Sequence, residues 1–143
     1  MDYTQLEIKI MTAFSAIGAA FSFFVGGVDN MVIALLVFIA IDYATGMAAA
    51  WQSKSLNSNR GFDGIKRKLI ILLVVVVAHW LDAAMGLPDT FKSMTVFAYV
   101  GNEGISIFEN IDRIGYGKYI PNFLRVRLAQ LRDERKNIEK EKI

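Results

Sequence analysis

The sequence predicts an all-α integral membrane protein with three to four transmembrane helices, the charge pattern favouring four with both termini cytoplasmic, plus a cytoplasmic C-terminal helix. Three observations carry this. Hydrophobic residues make up 54% of the chain against 21% charged, an imbalance unlike that of a small soluble domain. The charges lie in blocks, and the stretches between them approach the roughly 20 residues needed to cross a hydrocarbon core about 30 Å thick. Fifteen of the sixteen basic residues fall on one side if four segments span, against Lys92 alone on the other.

The expected spans are about 10–28, 31–51, 69–85 and 93–111, forming a transmembrane domain over 1–114 that is followed by a charged tail over 115–143. Span one has no charge. Asp2 and Glu7 precede it and more apolar chain follows, so it reads as an uncleaved helix rather than a signal peptide. Its face of Thr12, Ser15, Gly18, Ala19, Ser22 and Gly26 is small throughout, and the four-residue spacing of Gly18, Ser22 and Gly26 suits close helix packing.

Span two carries one charge, Asp42, on a face shared with Thr45, Gly46 and Ala49. A carboxylate near a helix centre costs about 2.5 to 3.5 kcal/mol, which the surrounding Leu, Ile, Val and Phe residues offset at roughly 0.3 to 0.6 each. Asp42 is expected either to pack against another helix, protonated or hydrogen-bonded, or to face a wet interior. The basic loop that follows holds Lys54, Arg60, Lys66, Arg67 and Lys68, with Gly61-Phe62-Asp63-Gly64 reading as a turn that lacks the ligand series of a calcium loop. Span three opens on nine consecutive Leu, Ile and Val residues and ends with His79 and Asp82, one turn apart and expected to pair locally.

Span four is two-faced. Thr95, Tyr99, Asn102, Glu103, Ser106, Glu109, Asn110 and Arg113 project to one side, and Met94, Phe97, Val100, Ile105, Phe108 and Ile111 to the other. A ring of copies would line a water-filled lumen with the polar side; an interfacial helix or a buried polar seam are the alternatives. On this reading the pore-lining or polar membrane face comprises Asp42, Thr45, Asp82, Asn102, Glu103, Ser106, Glu109 and Asn110, and the packing positions are Gly18, Ser22, Gly26 and Gly46.

Beyond Ile111, Gly115 and Gly117 break the helix and Pro121 suits the first turn of a last one, with a stripe of Leu124, Leu128, Leu131 and Ile138 and an Arg135–Glu139 pair. With no cysteine and one histidine there is no disulfide framework, thiolate nucleophile or zinc site, and no metal or other cofactor is expected. A net charge of +2 gives no concentrated basic face for nucleic acid. No phosphate-binding glycine loop or catalytic constellation is present, so the chain does not read as an enzyme.

The order Asp42-Tyr43-Ala44-Thr45-Gly46, then Ser58, Gly61, Gly64-Ile65 and Arg67-Lys68, then Asp82, then Asn102-Glu103-Gly104-Ile105-Ser106-Ile107-Phe108-Glu109-Asn110, then Gly115 and Pro121 resembles the phage lysis and toxin-secretion holins of Gram-positive phages and prophages. The resemblance covers roughly 41–121. It implies a multi-pass protein of the host cytoplasmic membrane that contacts lipid, homo-oligomerises and opens lesions. An endolysin, functionally a partner but without direct contact, or a secreted toxin then leaves the cell. The alternative is a small ion or proton channel or transporter subunit with Asp42, Asp82 and Glu103 as a relay. A scaffold anchoring partners through its tail would leave those carboxylates unexplained.

Overall fold

The computed structural model describes residues 3–127, 129 and 130. Among them are four long helices and no strand: α1 Tyr3–Phe24, α2 Asn30–Gln52, α3 Ser58–Met85 and α4 Thr90–Ile111. At about 1.5 Å per residue, each exceeds the roughly 30 Å of a hydrocarbon core. By length and composition together, α1, α2 and the Gly61–Met85 part of α3 are apolar enough to cross a membrane. α4 matches α1 in length but carries Lys92, Glu103 and Glu109.

The first three helices end in the same way. The Gly27 N–H donates to the Ser22 carbonyl at 2.7 Å, the Ser55 N–H to Ala50 at 2.9 Å and the Leu87 N–H to Asp82 at 2.9 Å. Each bond closes over a residue of positive φ: Gly26 at +73°, Lys54 at +52° and Gly86 at +67°. These left-handed caps satisfy the last carbonyls of each helix and reverse the chain within a few residues. Asp29 starts α2 by accepting a hydrogen bond from the Val32 N–H at 2.9 Å.

α2, α3 and α4 form one bundle. The buried positions are Val32, Leu35, Asp42, Ala49 and Ala50 on α2, Lys68, Ile71, Val75, Ala78 and Asp82 on α3, and Lys92, Val96, Glu103 and Asn110 on α4. Their mixed three-, four- and seven-residue spacing is the seam of helices packed at a shallow angle. α2 and α4 run parallel, since Lys92 meets Asp29 at their starts and Asn110 meets Asp42 further along. α3 runs against both. Leu35, Ile71, Val75 and Val96 make the apolar centre, with Ile39, Tyr99 and Val100 packed around it.

The outside of this bundle is apolar: Leu69, Ile70, Leu73, Val77, Met94 and Phe97 are all exposed. Such a surface is a liability in water and ordinary against acyl chains. α1 has no buried residue at all; its aromatic contact with the bundle is the edge of Phe23 against Trp80, ring centres 5.6 Å apart.

Several local expectations are corrected. α1 begins at Tyr3 and ends at Phe24, so Gly26 lies in the turn, off the helix face shared by Gly18 and Ser22. α3 begins at Ser58, ahead of the apolar run, so Gly61-Phe62-Asp63-Gly64 is helical and Lys66, Arg67 and Lys68 belong to the helix. After α4 a π-helical turn, Asp112–Tyr116, and a 3-10 turn, Gly117–Tyr119, bend the chain around Gly115 at φ +97°. Helix resumes over 122–127 after Pro121. Leu128, Leu131, Ile138 and the Arg135–Glu139 pair lie outside the described residues.

Candidate functional site

Two polar nodes sit on the seam, one on each side of the apolar centre. In the first, the Lys68 ammonium lies between the Asp42 and Glu103 carboxylates and donates to both. All three side chains are buried. The Asn110 amide donates to Asp42 Oδ1 at 3.1 Å, to the Asp42 carbonyl at 3.3 Å and to Thr45 Oγ1 at 3.2 Å. The Arg67 guanidinium stands 3.6 Å from Asp42 Oδ2 at the outer edge. Each of the three bundle helices supplies one buried charge.

Small residues let this node close. A Cβ at Gly46 would sit 3.4 Å from Asn110 Nδ2, and one at Gly104 would sit 3.3 Å from the Phe38 ring. Tyr43 lies against α3, where a Cβ added at Gly61 would be 3.7 Å from its hydroxyl and one at Gly64 would be 3.4 Å from its ring. Asp42, Tyr43, Thr45 and Gly46 therefore each have a separate packing task against α3 or α4.

The second node joins the helix ends. Asp82 accepts from the Phe91 N–H at 2.9 Å and the Lys92 N–H at 2.8 Å. It caps α4 from α3, because Asp89, at φ +49°, makes no side-chain cap itself. The buried Lys92 ammonium donates to Asp29 Oδ2 at 3.0 Å and to the Gly26 carbonyl at 3.2 Å. Burial alone would raise the Asp29 pKa, but hydrogen bonds from the Val32 N–H and Lys92, the Lys92 charge and the Met31 N–H together hold it below 3.8.

The expected pairing of His79 with Asp82 is replaced. His79 Nδ1 lies 3.3 Å from Asp89 Oδ1, and the imidazole fills the space over Gly26, where any Cβ would overlap the ring. Asp82 is drawn away because two unpaired backbone N–H groups at the start of α4 are stronger claimants for a buried carboxylate.

The predicted polar face of α4 divides. Glu103 and Asn110 turn inward, Ser106 and Glu109 line a cleft beside the first node, and Asn102 is exposed. Gly18 is exposed with open space where a Cβ would be, and Ser22 is partly covered. Sequence reasoning missed Lys68 and Lys92 as groups buried within the bundle, since both fall just outside the expected spans. The signal was available: Lys68 precedes Ile71, Val75, Ala78 and Asp82 on one helical face, and Lys92 precedes Val96 and Glu103 on another. Among the described residues no buried side-chain polar atom lacks a hydrogen-bond partner, and no cluster suits a metal ion.

The sequence profile of the Bacteriophage holin family matches residues 19–133, which contain both nodes. An uncharacterised protein of Listeria innocua is 36% identical over 137 residues, covering 96% of each chain. An uncharacterised protein of Clostridium perfringens is 40% identical over 135 residues, 94% of this chain and 97% of the relative. A probable holin of Bacillus phage phi105 is 42% identical over 81 residues, 57% of this chain and 60% of its own. No solved structure matches. The chain belongs to the bacteriophage holin family, whose members are membrane proteins and not enzymes.

Proposed function

We propose that the protein is a phage holin that accumulates and oligomerises in the host cytoplasmic membrane and opens lesions through which an endolysin, or a secreted toxin, passes. The observation that carries this reading is a fully paired polar seam inside a bundle whose outer surface is apolar. In lipid, a polar group finds partners only in protein or in a water-filled space. Each bond of the seam joins different helices, so neighbouring copies can exchange helices and keep the same number of bonds. Where the seam opens between copies, Asp42, Thr45, Asp82, Asn102, Glu103, Ser106, Glu109 and Asn110 face a shared lumen whose water takes the place of their partners.

A four-span arrangement with both termini cytoplasmic is supported by α4 lying parallel to α2 and beside it from Asp29 to Asp42, and by the distribution of basic residues. It puts the first node toward the cytoplasm, the second toward the outside, and the charged tail in the cytoplasm. A reporter active only in the cytoplasm is expected to work when fused after Ile143, and one active only outside when inserted at Leu87. An externally accessible Ile143 contradicts the arrangement.

The relay reading of Asp42, Asp82 and Glu103 is disfavoured within one protomer, because Leu35, Ile71, Val75 and Val96 separate the nodes with an apolar layer. α1, which the bundle leaves uncovered, is assigned to contacts between copies. Gly18→Leu or Ser22→Leu is then expected to weaken crosslinked oligomers more than Phe24→Leu, since small side chains on that face allow close approach. Equal losses from the two faces argue against that assignment. The function itself is tested by expression in a Gram-positive host with an endolysin that lacks its own export signal: lysis is expected, and intact cells contradict the reading.

A further inference from the structure

Beside the first node the bundle opens into a cleft of about 470 Å³ between α2, α3 and the end of α4. Its charged lining is balanced, with Arg67, Lys68 and Arg113 against Asp42, Asp63 and Glu109. Most of that charge is already engaged. Lys68 holds Asp42, and Asp63 faces Lys66 at 3.4 Å. Arg67 is 65% exposed and reaches Asp42 at 3.6 Å with one nitrogen. Glu109 and Arg113, one helical turn apart at a spacing that normally pairs, form no ion pair among the described residues, and both line the cleft. A second, open cavity of about 430 Å³ adjoins the first, sharing Tyr43, Met47 and Leu56 with it, and is bordered by the exposed Phe62 and Ile65.

We propose that these adjoining cavities bind one aminophospholipid of the surrounding membrane. The phosphodiester lies between the Arg67 and Arg113 guanidiniums, the primary amine on Glu109, and an acyl chain along Phe62, Ile65, Met47 and Leu56. A planar guanidinium presents paired N–H donors that match phosphate oxygens. The groups left unengaged, two guanidiniums and one carboxylate, match a headgroup that carries both a phosphodiester and an amine, whereas a purely anionic headgroup leaves Glu109 without a partner. The adjoining apolar slot selects a lipid over free phosphate or a soluble phosphodiester. The proposal rests on the membrane placement given above, which sets this end of the bundle at the cytoplasmic interface, and it is independent of lesion size.

The test is lipid retention by the purified full-length protein in detergent, read by native mass spectrometry with phosphatidylethanolamine, phosphatidylglycerol or deacylated glycerophosphoethanolamine added. One phosphatidylethanolamine per protomer is expected, with phosphatidylglycerol held about tenfold more weakly, the worth of one charge-assisted hydrogen bond. Glu109→Gln is expected to erase the preference between the two lipids, and Arg113→Gln to weaken both, at unchanged helix content and melting temperature. Equal retention of the two lipids by the wild-type protein overturns the assignment of the amine. Equal competition by the deacylated compound overturns the acyl slot, and unchanged retention in Arg113→Gln overturns the site. Because retention is read without reference to lysis, a protein that holds the lipid but releases no endolysin counts against the holin reading alone.

Discussion

Replacing Lys68 by methionine is expected to destabilise the protein by about 3–5 kcal/mol, the cost of leaving buried charges without their partner. The ammonium is the shared donor of Asp42 and Glu103, so its removal strands two carboxylates against each other. The helices themselves retain their apolar length, so insertion persists while the bundle loosens. Unfolding of the purified variant by titration into a denaturing detergent, followed by circular dichroism, reads the change. The companion variant Asp42→Asn, Lys68→Met, Glu103→Gln removes all three charges and is expected to recover most of the loss, because a neutral node carries no stranded ion. Arg67→Gln is expected to cost much less, since that side chain is mostly solvent-facing. A Lys68→Met protein as stable as the wild type contradicts the node as the bond that holds the three helices together.

Asp82→Ala is expected to have the second largest effect, about 2–4 kcal/mol, through two hydrogen bonds to a buried carboxylate. The Phe91 and Lys92 N–H groups belong to the first turn of α4, and nothing nearer in sequence caps them. Without Asp82 that turn frays and Lys92 loses its fixed position against Asp29. Asp82→Asn keeps one acceptor oxygen and is expected to lose about half as much. Hydrogen exchange at the amides of residues 91 and 92 separates this from a general loosening. Fast exchange confined to the start of α4 is the expected result in Asp82→Ala, and unchanged protection there contradicts the cap.

The helical class and three apolar spans were legible because long uncharged runs admit few other structures. Asp42 and Glu103 were legible as special, since a carboxylate in such a run demands a partner. Their partner was not, because Lys68 stands in a basic cluster that reads as a loop when apolar length alone marks the helix. Extending the seam back by seven residues from Val75, or by three from Ile71, reaches it. Asp82 was misassigned for a related reason: helical spacing places it near His79, whereas its partners are backbone groups that only the reversal at Gly86 brings within reach. The inward turn of Glu103 and Asn110 was one of three readings of the two-faced α4, and spacing alone does not distinguish a face turned to its own bundle from one turned to a neighbour. Gly26 looked like the end of a packing stripe because its spacing fits, yet a positive φ and the His79 ring give it a different task.

The family places the protein in a membrane, and the lesions proposed for its assemblies are wide enough to pass folded proteins. The most direct measurement follows a cytoplasmic marker enzyme in the medium, together with membrane potential, after expression of the wild-type chain in a Gram-positive host without endolysin. Collapse of the potential accompanied by release of the enzyme through a wall permeabilised from outside is the predicted result. Collapse of the potential while the enzyme stays inside, even at the highest membrane levels of the protein, contradicts lesions of that width and favours a pathway for ions.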